Sequence, residues 1–206
     1  MAISTYSELR GAIADWLERS DLLERTADFI RLAESRLDRV LRLRHMEADH
    51  ALAVPGGART LALPEGFREP VALWIDRPGG REPMRFVDAA VLAVTHASGE
   101  PRAWTIDGDH LAFDRPWAQA CDLTLRMLGR LALSETTPTN AVLRDYPDLY
   151  LFGSLMEAAP YLRDAELLSL FAARFEAALV EVRAKESRHR SLARLSVEPA
   201  LAAIGA

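Results

Sequence analysis

The chain has 206 residues, of which 50% are hydrophobic and 27% charged, and its formal net charge is −5. That length can bury one substantial core, or one domain with a subdomain inserted into it, without recourse to disorder. The negative balance argues against a protein whose main task is gripping phosphates, because sequence-independent affinity for nucleic acid comes from clustered positive charge, whereas a wall without net positive charge lets DNA slide. The longest apolar runs, Ala89 to Val94 and Leu149 to Phe152, fall far short of the roughly 20 residues that span a bilayer, so no membrane partner is expected. The opening residues carry Glu8, Asp15 and Glu18 where a secretory leader needs a basic start and an uncharged centre, which implies synthesis in the cytoplasm. The single cysteine, Cys121, sits in an alternating apolar stretch and reads as a buried structural thiol.

The first third reads as helix. Thr5 and Glu8 form a capping-box pattern ahead of Leu9, Ile13, Trp16 and Leu17 on one face. After a break near Ser20 and Asp21, Leu23, Ala27, Ile30, Ala33, Leu37, Val40 and Leu41 continue at helical spacing. The opposite face, with Glu24, Asp28, Arg31, Glu34, Asp38 and Arg42, reads as a solvated or subunit-facing surface of mixed charge. From about His50 to Arg130 the period changes to that of strands. Pro55-Gly56-Gly57 predicts a hairpin joining Leu52–Val54 to Thr60–Leu63, and Pro78-Gly79-Gly80 a second one joining Val71–Ile75 to Met84–Val87. Asp107-Gly108-Asp109 predicts a third, between Trp104–Ile106 and Leu111–Phe113, while Asp88 to His96 is read as a short helix. Cys121, Leu123, Leu125 and Met127 alternate with Asp122, Thr124 and Arg126, a strand with one buried and one wet face.

Ser134 to Asn140 reads as a connector, after which helix returns to about Arg190. Pro147 and Asp148 suit a helix start, Pro160 should kink or end that helix, and Asp164 caps the next. Along that next helix Leu168, Phe171, Phe175, Ala178 and Val182 form the apolar stripe. The fold class expected is α+β: a helical bundle formed by N- and C-terminal helices, with an inserted antiparallel β region and an extended C-terminal arm. The boundaries are 1–48 and 141–190 for the helical core, 49–133 for the β-rich insertion and 191–206 for the arm.

No phosphate loop, dinucleotide fingerprint, nucleophile elbow or zinc-helix pair occurs in the sequence. Asp107-Gly108-Asp109-His110 lacks calcium-loop spacing and reads as a turn. His45 and His50, beside Glu47 and Asp49, do not by themselves make a metal site. Acidic residues fall on the polar faces of predicted helices, the pattern of a charged surface more than of a paired-carboxylate site. Tyr146, Tyr150, Phe152 and Tyr161 crowd one helix, which suggests packing and not base stacking. No catalytic residue, metal or cofactor is assigned.

The run Tyr146-Pro147-Asp148-Leu149-Tyr150-Leu151-Phe152-Gly153, continued by Leu155, Glu157, Ala158, Ala159 and Tyr161 to Asp164, resembles the C-terminal helical signature of head-to-tail adaptor proteins of tailed bacteriophages and gene transfer agents. Phe29-Ile30-Arg31-Leu32-Ala33-Glu34 with Leu37, Arg39, Leu41, Arg42, Met46 and Glu47 is similar to the N-terminal helix of the same family. Pro101 to Thr105, Gly108, Leu111, Phe113, Leu123 to Leu125 and Leu131 to Ser134 follow in the family's order. The chain departs from the family where Arg126, Met127 and Leu128 replace the usual aromatic residues.

The resemblance implies a structural protein, not an enzyme, at the portal vertex of the virion. Its partners would be the portal protein, neighbouring adaptor subunits in a dodecameric ring, a tail or stopper protein, and DNA passing through the channel without sequence-specific binding. Arg31, Glu34, Asp38 and Arg42 are the candidates for contacts between subunits, since a ring needs two complementary faces. Leu192, Leu195, Val197, Leu201 and Ile204 are too few for a core and are expected to dock on the portal. Mixed-charge surfaces and the lack of a long heptad seam suggest a monomer before assembly. The rival readings are a small cell-wall glycan hydrolase and a DNA-binding regulator.

Overall fold

The computed structural model describes residues 3–195, with side chains for residues 3–188. The described residues are mixed α and β and divide into two compact units, one formed by residues 3–45 with 131–195 and the other by Met46–Arg130.

In the first unit α1 (Tyr6–Trp16) begins where the Thr5 hydroxyl accepts from the Glu8 amide and the Glu8 carboxylate accepts from the Thr5 amide. Two donors that the first turn would leave unpaired are thereby satisfied. A 3₁₀ turn at Ser20–Leu22 leads to α2 (Thr26–Val40), which buries Phe29, Ile30, Ala33 and Leu37. Leu23, placed on the buried stripe by its spacing, is 41% exposed, because it precedes the first helical turn. The short α3 (Ala141–Asp145) is capped by Asn140, whose side-chain oxygen accepts from the Leu143 amide. Then α4 (Pro147–Leu162) starts on a proline, whose missing N–H falls where no partner exists. Pro160 does not stop α4 at once; it ends two residues later, with Arg163 in the left-handed conformation at φ 58°. Asp164 accepts from the Glu166 and Leu167 amides and opens α5 (Ala165–Leu195). This helix buries Phe171, Phe175, Ala178, Leu179 and Val182 but leaves Leu168 exposed. It runs past Arg190, so 191–195 are helical where an extended arm was expected to begin. Val197, Leu201 and Ile204 lie outside the described residues.

The second unit holds two four-stranded sheets. One is ordered β1 (Glu47–Val54), β8 (Cys121–Gly129), β3 (Phe67–Arg77), β4 (Gly80–Pro83), with every pair antiparallel. The other is ordered β2 (Thr60–Ala62), β7 (His110–Phe113), β6 (Ala103–Asp107), β5 (Arg85–Phe86), with β5 parallel to β6. Val54, Leu73, Ile75, Leu123, Leu125 and Met127 from the first sheet share one core with Trp104, Leu111 and Phe113 from the second, and with Trp117. Alternation along each strand puts these residues on the inner faces.

Three local expectations change. Pro55-Gly56-Gly57 does not close a hairpin: β1 pairs with β8 and β2 with β7, so the chain crosses there from one sheet to the other. The turn at Pro78-Gly79 does close one, but the returning strand is Gly80–Pro83; Met84–Val87 moves on toward β6. Asp88 to His96 is irregular, because the Asp88 side chain turns back to the Ala90 amide and Thr95 donates to the Asp114 carbonyl. The third turn is as expected, a two-residue loop with Gly108 at φ +60° between Asp107 and His110.

Candidate functional site

The signature helix α4 is held from several sides, and its distinctive residues are the contact points. It packs against α1, α2, α3 and α5. Tyr150 is fully buried; its hydroxyl donates to Glu34 Oε1 at 3.1 Å and accepts from Asn140 Nδ2 at 2.7 Å. One turn on, Gly153 lies where a Cβ would meet Ala33 Cβ and Phe175 Cε2 at 3.3 Å, so α2 and α5 approach α4 through the space a side chain would fill. Glu157 Oε1 accepts from Arg36 Nε at 2.9 Å and Nη2 at 2.6 Å. Tyr161 is exposed but meets Phe29 edge-on, with ring centroids 5.7 Å apart. Lys185 stands 5.1 Å over the Tyr146 ring, and Asp148 sits exposed in the first turn of α4.

The face expected to be solvated or subunit-facing is divided, and Arg42 lies past the end of α2, where Leu41 turns the chain extended. Arg31 and Arg42 are exposed. Glu34 is buried at 5% exposure and accepts from the Leu133 amide at 2.7 Å, while Asp38 accepts from the Leu131 amide at 3.1 Å. Both carboxylates therefore fasten the segment that leads into the connector to the helix. Glu135 with Arg10, and Pro138 with the Tyr6 amide, continue the attachment. Burial pushes the Glu34 carboxyl above the usual range, against the two hydrogen bonds that pull it down. Burial and the neighbouring Glu34 charge also push the Tyr150 hydroxyl up. Nothing in the spacing of Glu34 distinguishes it from Glu24 or Asp28; only the folded-back segment does.

In the second unit the strand face read as wet carries an exposed charged cluster. Asp49 accepts from Arg126 Nε at 2.7 Å and from Arg81 Nη1 at 2.9 Å, and these cations lie 5.2 Å and 5.8 Å from the Trp74 ring centre. Both guanidinium groups draw the Asp49 carboxyl down to about 2. Thr124 is buried and donates to Asp76 Oδ2 at 2.7 Å. These residues are far apart in sequence and meet only through the register of β1, β8, β3 and β4.

The sequence singles out no pair of acidic residues for catalysis. Glu82 and Glu100 border one cavity of about 490 Å³, but both are tied to the Arg77 guanidinium. Asp109 and His110 end a hairpin turn, and Asp107 pairs across it. Among the described residues no group of three or more His, Cys, Asp or Glu side chains is placed to hold a metal ion. No helix among them is long and apolar enough to cross a membrane. Cys121 is half-buried and not enclosed; burial first, then the Asp122 charge, push its thiol up.

No curated protein gives a match to the chain. The family model described as SU10 adaptor protein matches residues 4–198, a span that takes in both units, the signature helix and its contacts. The chain therefore belongs to the SU10 adaptor protein family, an adaptor family of the phage head–tail connector type.

Proposed function

We propose that the chain is a non-catalytic head-to-tail adaptor. It binds the portal as a dodecameric ring, extends the channel through which DNA leaves during ejection, and gives the tail or stopper protein its docking surface. The observation that carries this reading is the family match over residues 4–198, which leaves neither unit outside it. A subunit of such a ring must be stiff, and the contacts of Tyr150, Gly153 and Glu157 supply stiffness where the helices meet. The N- and C-terminal helices thus serve as one bundle, with the β-rich unit as its insertion.

Within the ring, Arg31 on α2 and Arg42, just beyond its end, are the exposed members of the candidate set and meet acidic residues of a neighbouring subunit. Glu34 and Asp38 contribute indirectly, by fixing the segment that leads into the connector. The segment after Arg190, with Leu192, Leu195, Val197, Leu201 and Ile204, docks on the portal. Purified chain mixed with its portal tests the proposal. Full-length protein is expected to load on the portal, and a form lacking Ser191–Ala206 to keep its melting transition while loading poorly. Equal loading of the truncated form would refute the arm. Turnover of cell-wall glycan, abolished by one Asp or Glu substitution, would refute the non-catalytic reading.

A further inference from the structure

The long helix α5 has two apolar sides. One is the buried stripe of Phe171, Phe175, Ala178, Leu179 and Val182. On the opposite side of a helix with 3.6 residues per turn stand Leu170, Ala173, Ala177, Val180 and Ala184, all exposed. Leu170 is 50% and Val180 62% exposed, and they share this face with the three alanines. Their spacing alternates between three and four, which is the seam pattern of paired helices. Charged residues border the seam in a regular way. Arg174 and Glu181 lie along one edge, and Glu176 and Arg183 along the other. Arg183 reaches the Val40 carbonyl at 3.3 Å, whereas Arg174, Glu176 and Glu181 make no ion pair or side-chain hydrogen bond among the described residues.

The charge order decides what can cover this face. A second α5 laid parallel sets Glu176 against Glu181 and Arg183 against Arg188, like against like. Laid antiparallel and centred between Ala177 and Val180, it sets Ala177 against Val180 and Ala173 against Ala184. The same register brings Arg174 to Glu181 and Glu176 to Arg183, each pair occurring twice. Alanines in the seam let the two helix axes come close.

We infer that this face of α5 pairs with a second copy of the chain, antiparallel across a two-fold axis. The contact is isologous, so it closes at two copies and cannot propagate into a ring. It belongs to the free chain and does not rest on portal binding. It also differs from the monomer suggested by the missing long heptad seam: about two heptads suffice for a weak, reversible pair.

Sedimentation equilibrium of the full chain tests this without any portal. A concentration-dependent dimer is expected at about 100 µM protein, as befits a small interface. Arg174→Glu and Glu181→Arg should each weaken the dimer about tenfold, since each places like charges in two symmetric positions. The double variant, Arg174→Glu with Glu181→Arg, should restore it. A chain that stays monomeric at that concentration overturns the inference. So does a Glu181→Arg variant that associates more tightly, the result a parallel pair gives, or a double variant that fails to recover. Single variants that self-associate normally but load poorly on portal would assign the face to the portal instead.

Discussion

Removing the Glu34 side chain is the sharpest probe of the helical unit. In Glu34→Ala the Leu133 amide and the Tyr150 hydroxyl proton lose the acceptor they share, Oε1, now at 2.7 Å and 3.1 Å. Each orphaned buried donor costs about 1–3 kcal/mol, and relief of the carboxylate's own desolvation offsets part, leaving a net loss of about 2–4 kcal/mol. Glu34→Gln keeps an oxygen for both donors and should stay within about 1 kcal/mol of the parent at neutral pH. The pH dependence separates charge from hydrogen bonding. Burial raises the Glu34 pKa, so the folded state holds its proton to higher pH than the unfolded chain does. The parent should therefore lose stability as pH rises from the ordinary glutamate range through the raised value, and Glu34→Gln should lack that decline. Urea melts followed by circular dichroism at several pH values measure both effects. A Gln variant as unstable as Ala, or an Ala variant equal to the parent, would refute the reasoning.

The other perturbations reach different parts of the chain. Asp49→Asn should remove an acid-dependent loss of stability: with its pKa drawn down to about 2, Asp49 stabilises the fold above the ordinary aspartate range and stops doing so as pH falls toward that value. Melting temperatures recorded between neutral and strongly acidic pH check this, and an unchanged acid limb would count against it. Gly153→Val should cost about 1–3 kcal/mol by overpacking, because its Cβ alone would already stand 3.3 Å from Ala33 and Phe175; thermal melting measures the loss. Thr5→Ala should cost about 1 kcal/mol through the lost helix cap, read by chemical denaturation.

Local rules carried the helices well. The Thr5 cap, the Pro147 start and the Asp164 cap lie where their side chains and neighbours put them, because each depends on residues within one turn. The stripes of α2 and α5 were legible at Phe175 and Leu37 and less so at their ends, where Leu23 and Leu168 are exposed. Non-local pairing was the obstacle elsewhere. Two strands around Pro55-Gly56-Gly57 look like a hairpin until register assigns them to different sheets. Thr124 looks solvated until Asp76 arrives from another strand, whereas Arg126 stays on the wet face and pairs there with Asp49. Glu34 looks like any surface acid until the segment before the connector crosses it. For the functional site, the signature residues of α4 were readable as a pattern, but their role as contact points depends on partners more than a hundred residues away, such as Glu34 and Arg36.

On the proposed function, this chain joins a portal as a ring. The most direct measurement is sedimentation of purified chain with its portal, followed by the mass of the complex. One copy per portal subunit, bound without enzymatic turnover and without duplex DNA, is the expected result. A portal that sediments alone, with the adaptor left in the supernatant at every concentration tried, would contradict it.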